Sequence, residues 1–474
     1  MRSTPVSRAV RGRWLLAVGA SLLLGSTGAL AEVASPKVSL VPVTVPLGDP
    51  SRDYPQFASA MDLASQGYVE KEFFIEGKAR RYDTPELNNA ILMSSGHPYR
   101  TRLLVRHPTS AKKFNGVVIV EWLNVTAGHD LDVLWLTTAE HLMREGYAYV
   151  GVSAQQVGLN APLTGLRAWS PTRYSSLDVT DGGSILDDSL SFDIYSQAVQ
   201  AVRNAGSSKA LGPLKPVTVI AAGASQSQSF LRRYHNSVEP LTEGLIDGYF
   251  MYLGIAGTLR TDLKPKIFSL DTETDVLLLG RFPSRQADSD KLRTWEVAGA
   301  SHVGYTNPSP RAPIMERDQL PVADNSQCTL PALSHVPTAH VARAGVDHLT
   351  RWVIKGTPPP TAPRIEIAAV TPTGVTAARD AYGNALGGIR LAEHAVPIAT
   401  NTGLNAGPGY CFLNGSHVRF SDDVLRDLYW TPGQYVHKVT QVTMNNLKAG
   451  YITPADALAT VRQAAKREIT KRRR

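Results

Sequence analysis

The chain has 474 residues, of which 43% are hydrophobic, 7% aromatic and 19% charged. These proportions are close to the average of globular proteins, and they exclude a disordered chain, a collagen-like chain and a protein that crosses a membrane many times. With only 2 cysteines the sequence also excludes a disulfide scaffold and a multi-cysteine metal module.

The first 31 residues have the order of a secretory signal. Four arginines without an acidic residue surround the start of an apolar stretch from Trp14 to Leu24, and small residues lead to Ala29-Leu30-Ala31. The arginines form no twin pair, which favours the general secretory route. An uncleaved anchor is the alternative, but the apolar stretch is shorter than the roughly 20 residues of a membrane span. We expect a signal peptide over residues 1–31 and a secreted or periplasmic mature chain without a membrane span.

The formal net charge of +8 is concentrated at the two ends of the chain. Without the four leader arginines it falls to +4, and the last nine residues, Lys466 to Arg474, carry a net +5. The body between them therefore has a charge of −1, and the basic tail is typical of a solvated chain end. Nucleic acid is not an expected partner.

From residue 99 onward, short apolar runs alternate with segments of helical spacing. The predicted strands cover residues 102–105, 117–120, 147–152, 217–221, 248–253, 266–270 and 294–297. The predicted helices cover residues 133–144, 191–205, the segment from Gly223 to about Tyr234, and 341–354. Strands that are apolar throughout and alternate with helices indicate an α/β fold, with a mostly parallel central sheet covered by helices on both faces. The earlier segment 69–82 alternates apolar and polar residues and suits an antiparallel edge hairpin.

Two long segments lack this alternation. Residues 160–190 have little regular pattern and form either a functional lid or a loop packed on the surface. Its Trp169, Arg173 and Tyr174 could line a pocket. After the prolines at 358–360 an irregular, Gly-rich stretch leads to further helices, the last of which starts at Thr453-Pro454. We expect a catalytic domain over residues 32–365 and an extension over residues 366–474 that packs on it.

The clearest chemical signal is Gly223-Ala224-Ser225-Gln226-Ser227, which directly follows a predicted strand and opens a helix. A serine on such a tight turn has its hydroxyl exposed at the carboxyl edge of the sheet, and small neighbours are needed because helix and strand backbones approach closely. Position 227 is serine where the common pattern has glycine. Ser225 is the predicted nucleophile, and the alternative is a serine that merely caps the helix.

A base and an acid follow in the order typical of α/β-hydrolases, serine, acid and histidine, each on a loop beyond a successive strand. His302 would accept the serine proton, and Asp275 would fix the histidine tautomer and stabilise its charged form. Glu273 lies two residues from Asp275 on the same turn and is the alternative acid.

Two backbone amides should stabilise the oxyanion of the intermediate. One is the amide of Gln226, which follows the nucleophile at a helix start. The other should come from the loop after the strand 117–120, and we nominate Leu123 or Asn124. Trp122, in the same segment, belongs either to the substrate pocket or to the core.

The two cysteines, Cys328 and Cys411, are compatible with a disulfide in an oxidising compartment and equally with two buried free thiols. The sequence predicts no cofactor, because it has neither a GxxxxGK[ST] phosphate loop nor a dinucleotide glycine fingerprint after the first strand. No metal is expected either, since His335, His340 and His348 lack the carboxylate pattern of a zinc enzyme.

Five segments together resemble an exported bacterial family of α/β-hydrolase domain proteins. These segments are Glu121 to Val125, Trp169 to Tyr174, Gly223 to Ser227, Thr272 to Asp275, and Asp380 to Arg390. The resemblance covers nearly the whole mature chain. It implies the α/β-hydrolase fold and a serine-hydrolase site, and it suggests that the late segment belongs to the family unit, but it implies no particular substrate.

The sequence therefore predicts an exported serine hydrolase that cleaves an ester of a small molecule or a polymer through an acyl-enzyme, most simply as a carboxylesterase. The preference for an ester over an amide is an analogy with other enzymes of this fold. The alternatives are a peptidase or an acyltransferase with the same site, and a noncatalytic protein that binds carbohydrate or the cell envelope.

Overall fold

The computed structural model describes residues 32–41, 52–242, 244–306, 308–372, 374–467 and 469. The predicted signal peptide, residues 1–31, and most of the basic tail lie outside the described residues.

Within the described residues, nine strands form one twisted sheet in the order β1-β2-β3-β5-β4-β6-β7-β8-β9. Their bounds are β1 Lys37–Leu40, β2 Tyr68–Asp83, β3 Ile91–Pro108, β4 Val117–Trp122, β5 Ala148–Val152, β6 Thr218–Ala224, β7 Gly248–Tyr252, β8 Lys266–Thr272 and β9 Leu292–Val297. The pairs from β5 to β9 are parallel, and β1, β2 and β3 add an antiparallel end. The predicted mostly parallel α/β sheet is confirmed.

The segment 69–82 is antiparallel as predicted, but it does not form the edge of the sheet. It lies within β2, which pairs with β3 on one side and with β1 on the other. The edge position belongs to β1, a short strand of four residues. Residues 72–75 of β2 are all buried, so burial does not alternate along the strand. The sequence pattern could not show that a separate short strand covers the outer side of β2.

The helices follow the alternation expected from the sequence. Their bounds are α1 Val133–Glu145, α2 Gln156–Asn160, α3 Leu166–Trp169, α4 Pro171–Tyr174, α5 Ser191–Arg203, α6 Ala205–Ser208, α7 Gln226–Arg233, α8 Glu273–Leu277, α9 Pro308–Asp318, α10 Thr338–Lys355, α11 Ala392–Ala395, α12 Cys411–Asn414, α13 Asp422–Leu428, α14 Pro432–Lys448 and α15 Pro454–Lys466. Helix α1 ends where Gly146 adopts a left-handed conformation with φ 78°, which a residue without Cβ adopts at little cost.

Helices cover both faces of the sheet. On one face α5 packs its buried Tyr195 and Val199 in a cluster with residues of β2 and β3. On the other face α1 and α10 bury Leu142 and Leu349 against the strands. Every residue of β4 and of β6 is buried, because a parallel strand is covered from both sides. The two clusters leave the carboxyl ends of the strands as the natural place for a site.

The last hundred residues continue the sheet beyond β9. Ile389 forms a parallel bridge with Val297, and its amide donates to the carbonyl of Glu296 at 2.7 Å. Two small hairpins, β10 Ile367–Thr371 with β11 Gly374–Ala377 and β12 Ala399–Thr402 with β13 Ser416–Arg419, belong to this part. It has its own apolar cluster around Leu425 and Val439. This C-terminal part therefore packs on the sheet edge.

A disulfide joins Cys328 to Cys411, across 83 positions of sequence. It ties α12, in the C-terminal part, to the loop between α9 and α10. Among the described residues no helix is long and apolar enough to span a membrane.

Replacing both cysteines, in Cys328→Ser/Cys411→Ser, should lower the free energy of unfolding by about 3 kcal/mol, because a bridge across so long a loop restricts the unfolded chain. Urea unfolding of oxidised protein measures the difference. The wild-type protein in excess reductant is the matched control and should unfold at the midpoint of the variant. A wild-type midpoint that does not respond to reductant would contradict this prediction.

Candidate active site

Ser225 lies in the turn between β6 and α7 with φ 57° and ψ −122°. An L-residue reaches this region at a cost on the order of 1–3 kcal/mol, so the surroundings must hold it there. The amide of Ser225 donates to the carbonyls of Tyr252, at 3.0 Å, and Leu253, at 3.1 Å, at the end of the neighbouring strand. The turn therefore directs the serine hydroxyl out of the carboxyl edge of the sheet.

Small residues make the turn possible. A Cβ at Gly223 would come within 2.9 Å of the carbonyl oxygen of Ser227, so only glycine fits at that position. The hydroxyl of Ser227 is buried, accepts from the amide of Ala224 at 3.0 Å and lies at the same distance from the Ala224 carbonyl, to which it can donate. The serine that replaces the usual glycine is accommodated because the turn itself satisfies its hydroxyl.

His302 lies on the loop after β9, with its Nε2 2.8 Å from the Oγ of Ser225. Its Nδ1 lies 2.6 Å from Oδ1 of Asp275. A carboxylate can only accept, so the proton of the neutral imidazole is on Nδ1 and the Nε2 lone pair faces the serine hydroxyl. This is the tautomer in which a histidine can accept the proton of the serine.

Asp275 is fixed by the start of α8. Its Oδ2 accepts from the amide of Thr272 at 2.7 Å, while the Thr272 hydroxyl accepts from the amide of Asp275 at 3.4 Å, which is a reciprocal helix cap. The carboxylate is fully buried. One of its oxygens is therefore held by the helix start, and the other is directed at His302.

Glu273, the alternative acid, has other partners. Its Oε1 accepts from Arg379 at 2.7 Å, and its Oε2 accepts from the amide of Gly299 at 2.8 Å. The structure thus brings Asp275, and not Glu273, to His302. Glu273 instead joins the loop after β9 to the C-terminal part of the chain.

Of the three backbone amides predicted to bind the oxyanion, one is free to donate and two are already hydrogen-bonded. The amide of Gln226 is the first of α7, and a helix start has no intrahelical acceptor for it. The amide of Leu123, however, donates to the carbonyl of Val152 at 3.3 Å, and that of Asn124 donates to Leu131 at 3.0 Å. Neither is free to bind an oxyanion, because the amide of Leu123 is held by β5 and that of Asn124 by the loop after β4, which folds back on itself.

The next amide along this loop belongs to Val125, which the sequence analysis did not nominate. It donates to the side-chain Oε1 of Gln226 at 3.3 Å, which is a long bond, and the Nε2 of the same side chain donates to Gln155 at 2.9 Å. The side chain of Asn124 donates to the carbonyl of Ala224 at 3.0 Å and holds the loop against the nucleophile turn. Nothing in the sequence distinguishes one amide of this loop from the next.

Two buried arginines hold the rest of this loop. Arg102 of β3 donates to Asp130 at 2.8 Å. Arg106, four residues further along the same strand, forms an ion pair with Asp132. Arg106 also donates to Glu70 of β2 at 2.7 Å. Both guanidinium groups are fully buried, and each is neutralised by carboxylates. The antiparallel end of the sheet therefore positions the loop beside Ser225.

A cavity of about 220 Å³ contains both Ser225 and His302. Most of its wall is apolar and comes from α1, α9 and the C-terminal part, with Val133, Leu136, Met315 and Leu413 among the lining residues. A cavity of about 150 Å³ can hold benzene, so this one has room for a small organic group.

The three aromatic residues predicted for the pocket do not line this cavity. Trp122 is buried and stacks on Tyr195, with 4.7 Å between ring centroids. Trp169 donates to the carbonyl of Asp318 at 2.9 Å, and Tyr174 donates to Glu72 at 2.7 Å. The stretch 160–190 contains short helices packed on the core, and its aromatic side chains are used there. Arg173 likewise pairs with Glu72.

None of the described residues form a group of three or more His, Cys, Asp or Glu side chains suited to a metal ion.

Comparison with known proteins gave one match over most of the chain. Residues 43–462 match the model of the alpha/beta hydrolase domain family. A search of curated proteins found no match.

Solved structures gave weaker likenesses. A serine hydrolase without lid from Xanthomonas campestris is 14% identical, with a TM-score of 0.29 over 52% of this chain and 97% of that one. Acetyl xylan esterase 1 from Thermoanaerobacterium is 13% identical, with a TM-score of 0.24 over 48% of this chain and 56% of that one. A glucuronoyl esterase from Teredinibacter turnerae is 10% identical, with a TM-score of 0.25 over 48% and 47%. The chain thus spans about half the length of these two esterases.

Glu121 stabilises the fold near the site to an extent that depends on pH. It accepts from the amide of Leu134 at 2.8 Å and from the Tyr149 hydroxyl at 2.7 Å, and so fixes the start of α1. Burial raises the pKa of Glu121 to about 8. Since its pKa in the unfolded chain is near 4.3, the folded protein retains a proton that the unfolded chain releases. The resulting stability is present at low pH and is lost as the pH rises through about 8.

Replacing the carboxyl by an amide, in Glu121→Gln, should remove this loss of stability. The free energy of unfolding of the variant, relative to wild type, should rise by on the order of 3 kcal/mol between pH 5 and pH 9. Urea unfolding at both pH values measures the difference. A relative stability that does not depend on pH would show that Glu121 is already ionised in the folded protein at pH 5.

Proposed function

Because the chain belongs to the alpha/beta hydrolase domain family, we propose that it is a serine hydrolase that cleaves a carboxylic ester of a small molecule through an acyl-enzyme. The observation that carries the proposal is the continuous series of hydrogen bonds from Asp275 through His302 to Ser225, at 2.6 and 2.8 Å. This arrangement supplies a nucleophile, its base and the group that orients the base.

The reaction proceeds in two halves. The Oγ of Ser225 attacks the ester carbonyl while Nε2 of His302 accepts its proton. The amide of Gln226 donates to the oxyanion that forms, and the amide of Val125 is the second donor once the Gln226 side chain releases it. His302 then protonates the departing alcohol. A water molecule, deprotonated by His302, hydrolyses the acyl-enzyme in the same way.

The shape of the cavity favours a small ester. An endopeptidase, which cleaves inside a polypeptide, needs a groove open at both ends, whereas Ser225 faces a chamber of about 220 Å³ walled in part by the C-terminal segment. Its mostly apolar lining suits the hydrocarbon part of an ester. A noncatalytic binding role is less favoured, because it does not require a histidine and an aspartate aligned on a strained serine.

We also propose that the protein acts after export. The leader pattern supports this location, and so does the disulfide between Cys328 and Cys411, since disulfides persist in oxidising compartments.

The proposed nucleophile is tested with a fluorophosphonate probe and a p-nitrophenyl ester. Wild-type protein should be labelled, and Ser225→Ala should lose labelling and about 10⁶-fold in kcat. Ser229→Ala, which removes a hydroxyl one helical turn further along α7, is the matched control and should be labelled like wild type. A folded wild-type protein that neither reacts with the probe nor hydrolyses the ester would favour the binding protein instead.

The assignment of the acid is tested by two isosteric changes. Asp275→Asn should lower kcat by about 10⁴-fold with little change in the fold, because the amide no longer selects the correct histidine tautomer. Glu273→Gln breaks the ion pair with Arg379, and should lower the free energy of unfolding by about 3 kcal/mol while kcat changes by less than about tenfold. The reverse pattern, with turnover lost only in Glu273→Gln, would make Glu273 the acid.

A further inference from the structure

Arg311 of α9 lines the cavity that contains Ser225 and His302. Of the described residues that form this wall, it alone carries a permanent charge, and none of them is acidic. A guanidinium group is charged at any physiological pH, so the otherwise apolar chamber holds one fixed positive charge.

The polar contacts of Arg311 are with neutral groups. Its Nε donates to the sulfur of Met315 at 3.3 Å, and its Nη2 lies 3.4 Å from Nε2 of His129. No acidic side chain of the described residues lies within ion-pair distance of Arg311, since the ion pairs of this part of the molecule all involve other cations. The thioether sulfur is a weak acceptor, and the contact with His129 is long for a hydrogen bond between two nitrogens.

His129 provides no negative charge and no competing positive one. Burial, together with the nearby charge of Arg311, lowers the pKa of His129 to about 4. Its Nδ1 lies 3.1 Å from the carbonyl of Ala127, which places the proton on Nδ1 and leaves Nε2 to accept from Arg311. The acid that acts on Arg311 at longer range, Asp132, is already paired with Arg106.

Two arginines that are buried among the described residues show the contrast. Arg102 lies against Asp130 and Glu72, and Arg281 pairs with Asp271. Taking a cation out of water costs several kcal/mol unless an anion compensates it. Arg311 is half-buried and burial lowers its pKa, but no carboxylate lines the cavity to compensate its charge. A molecule that enters the cavity with an anionic group would supply the counter-ion that the cavity wall lacks.

We infer that the ester substrate carries a carboxylate, which Arg311 binds while Ser225 attacks the ester carbonyl. This inference rests on the proposed function and names its substrate class. The volume of about 220 Å³ limits the distance between the two groups, so the substrate is a short half-ester of a dicarboxylic acid or a small ester whose alcohol bears a carboxylate close to the ester bond. A planar guanidinium can bind a carboxylate through two parallel hydrogen bonds.

Two pairs of substrates test the inference, one for each position of the charge. p-Nitrophenyl hydrogen glutarate is compared with p-nitrophenyl valerate, and 4-acetoxybenzoate with phenyl acetate, each corrected for its spontaneous hydrolysis. In at least one pair wild-type kcat/KM should favour the anion by tenfold or more. Arg311→Gln should reduce this ratio to less than threefold, with the neutral ester hydrolysed within threefold of wild type. Arg311→Lys should keep an intermediate preference.

Arg462→Gln is the matched control, because it removes an exposed arginine of α15 outside the cavity and should leave both ratios unchanged. If neutral esters are hydrolysed and both ratios are the same in wild type, Arg311→Gln and Arg311→Lys, the inference is overturned and the proposed function stands. If no ester is hydrolysed and Ser225 is not labelled, the proposed function fails and the inference fails with it. The lysine variant preserves the charge, so it decides the case if the glutamine variant does not fold.

Discussion

The backbone of Ser225 is held at φ 57° between a strand and a helix, and the other residues of the site are placed relative to this turn. The turn is maintained from three directions: the carbonyls at the end of β7 accept its amide, the missing side chain of Gly223 lets the helix approach, and the hydroxyl of Ser227 closes it from inside. Strain of this kind persists only where the surroundings determine it completely. The orientation of the nucleophile is therefore a property of the sheet as a whole.

Buried charged side chains hold the loop beside this turn in place. Arg102 and Arg106 reach from β3 to the two aspartates of the loop after β4, and Glu121 holds the helix that follows it. Because each of these groups is satisfied by a partner, the loop is organised before any substrate arrives, which is the condition for stabilising a charge that appears only during the reaction. Arg311 differs from them because its contacts are neutral and its side chain faces the cavity.

Much of this arrangement could be predicted from the sequence. Ser225, Asp275 and His302 each follow an apolar strand, and in a parallel sheet the carboxyl ends of neighbouring strands meet at one edge, so the order along the chain implies proximity. The identity of the acid could not be predicted from the order along the chain, since Asp275 and Glu273 share one turn. Only the helix cap at Thr272 distinguishes which carboxylate is directed at the histidine.

The residues that the sequence did not reveal are those placed by long-range contacts. Leu123 and Asn124 were wrong as oxyanion donors because their amides bond to chain segments that no local pattern identifies. The prediction of three aromatic pocket residues was also wrong, for Trp122, Trp169 and Tyr174. Their residue type did not decide their location, since large aromatic side chains are as useful in a core as in a pocket. Part of the cavity wall is supplied by α9 and by residues beyond 400, whose distance from Ser225 depends on the complete tertiary structure.

The participation of Tyr410, Leu413 and Asn414 in that wall has a consequence for biosynthesis. A growing polypeptide contains its serine, aspartate and histidine once residue 302 has been made, and by then the strands of the central sheet are complete as well. At that stage the chamber lacks the wall residues of α9, and it also lacks those of the final quarter of the molecule, which the bridge to Cys328 fastens. Synthesis of the reactive groups thus precedes enclosure of the space in which they act.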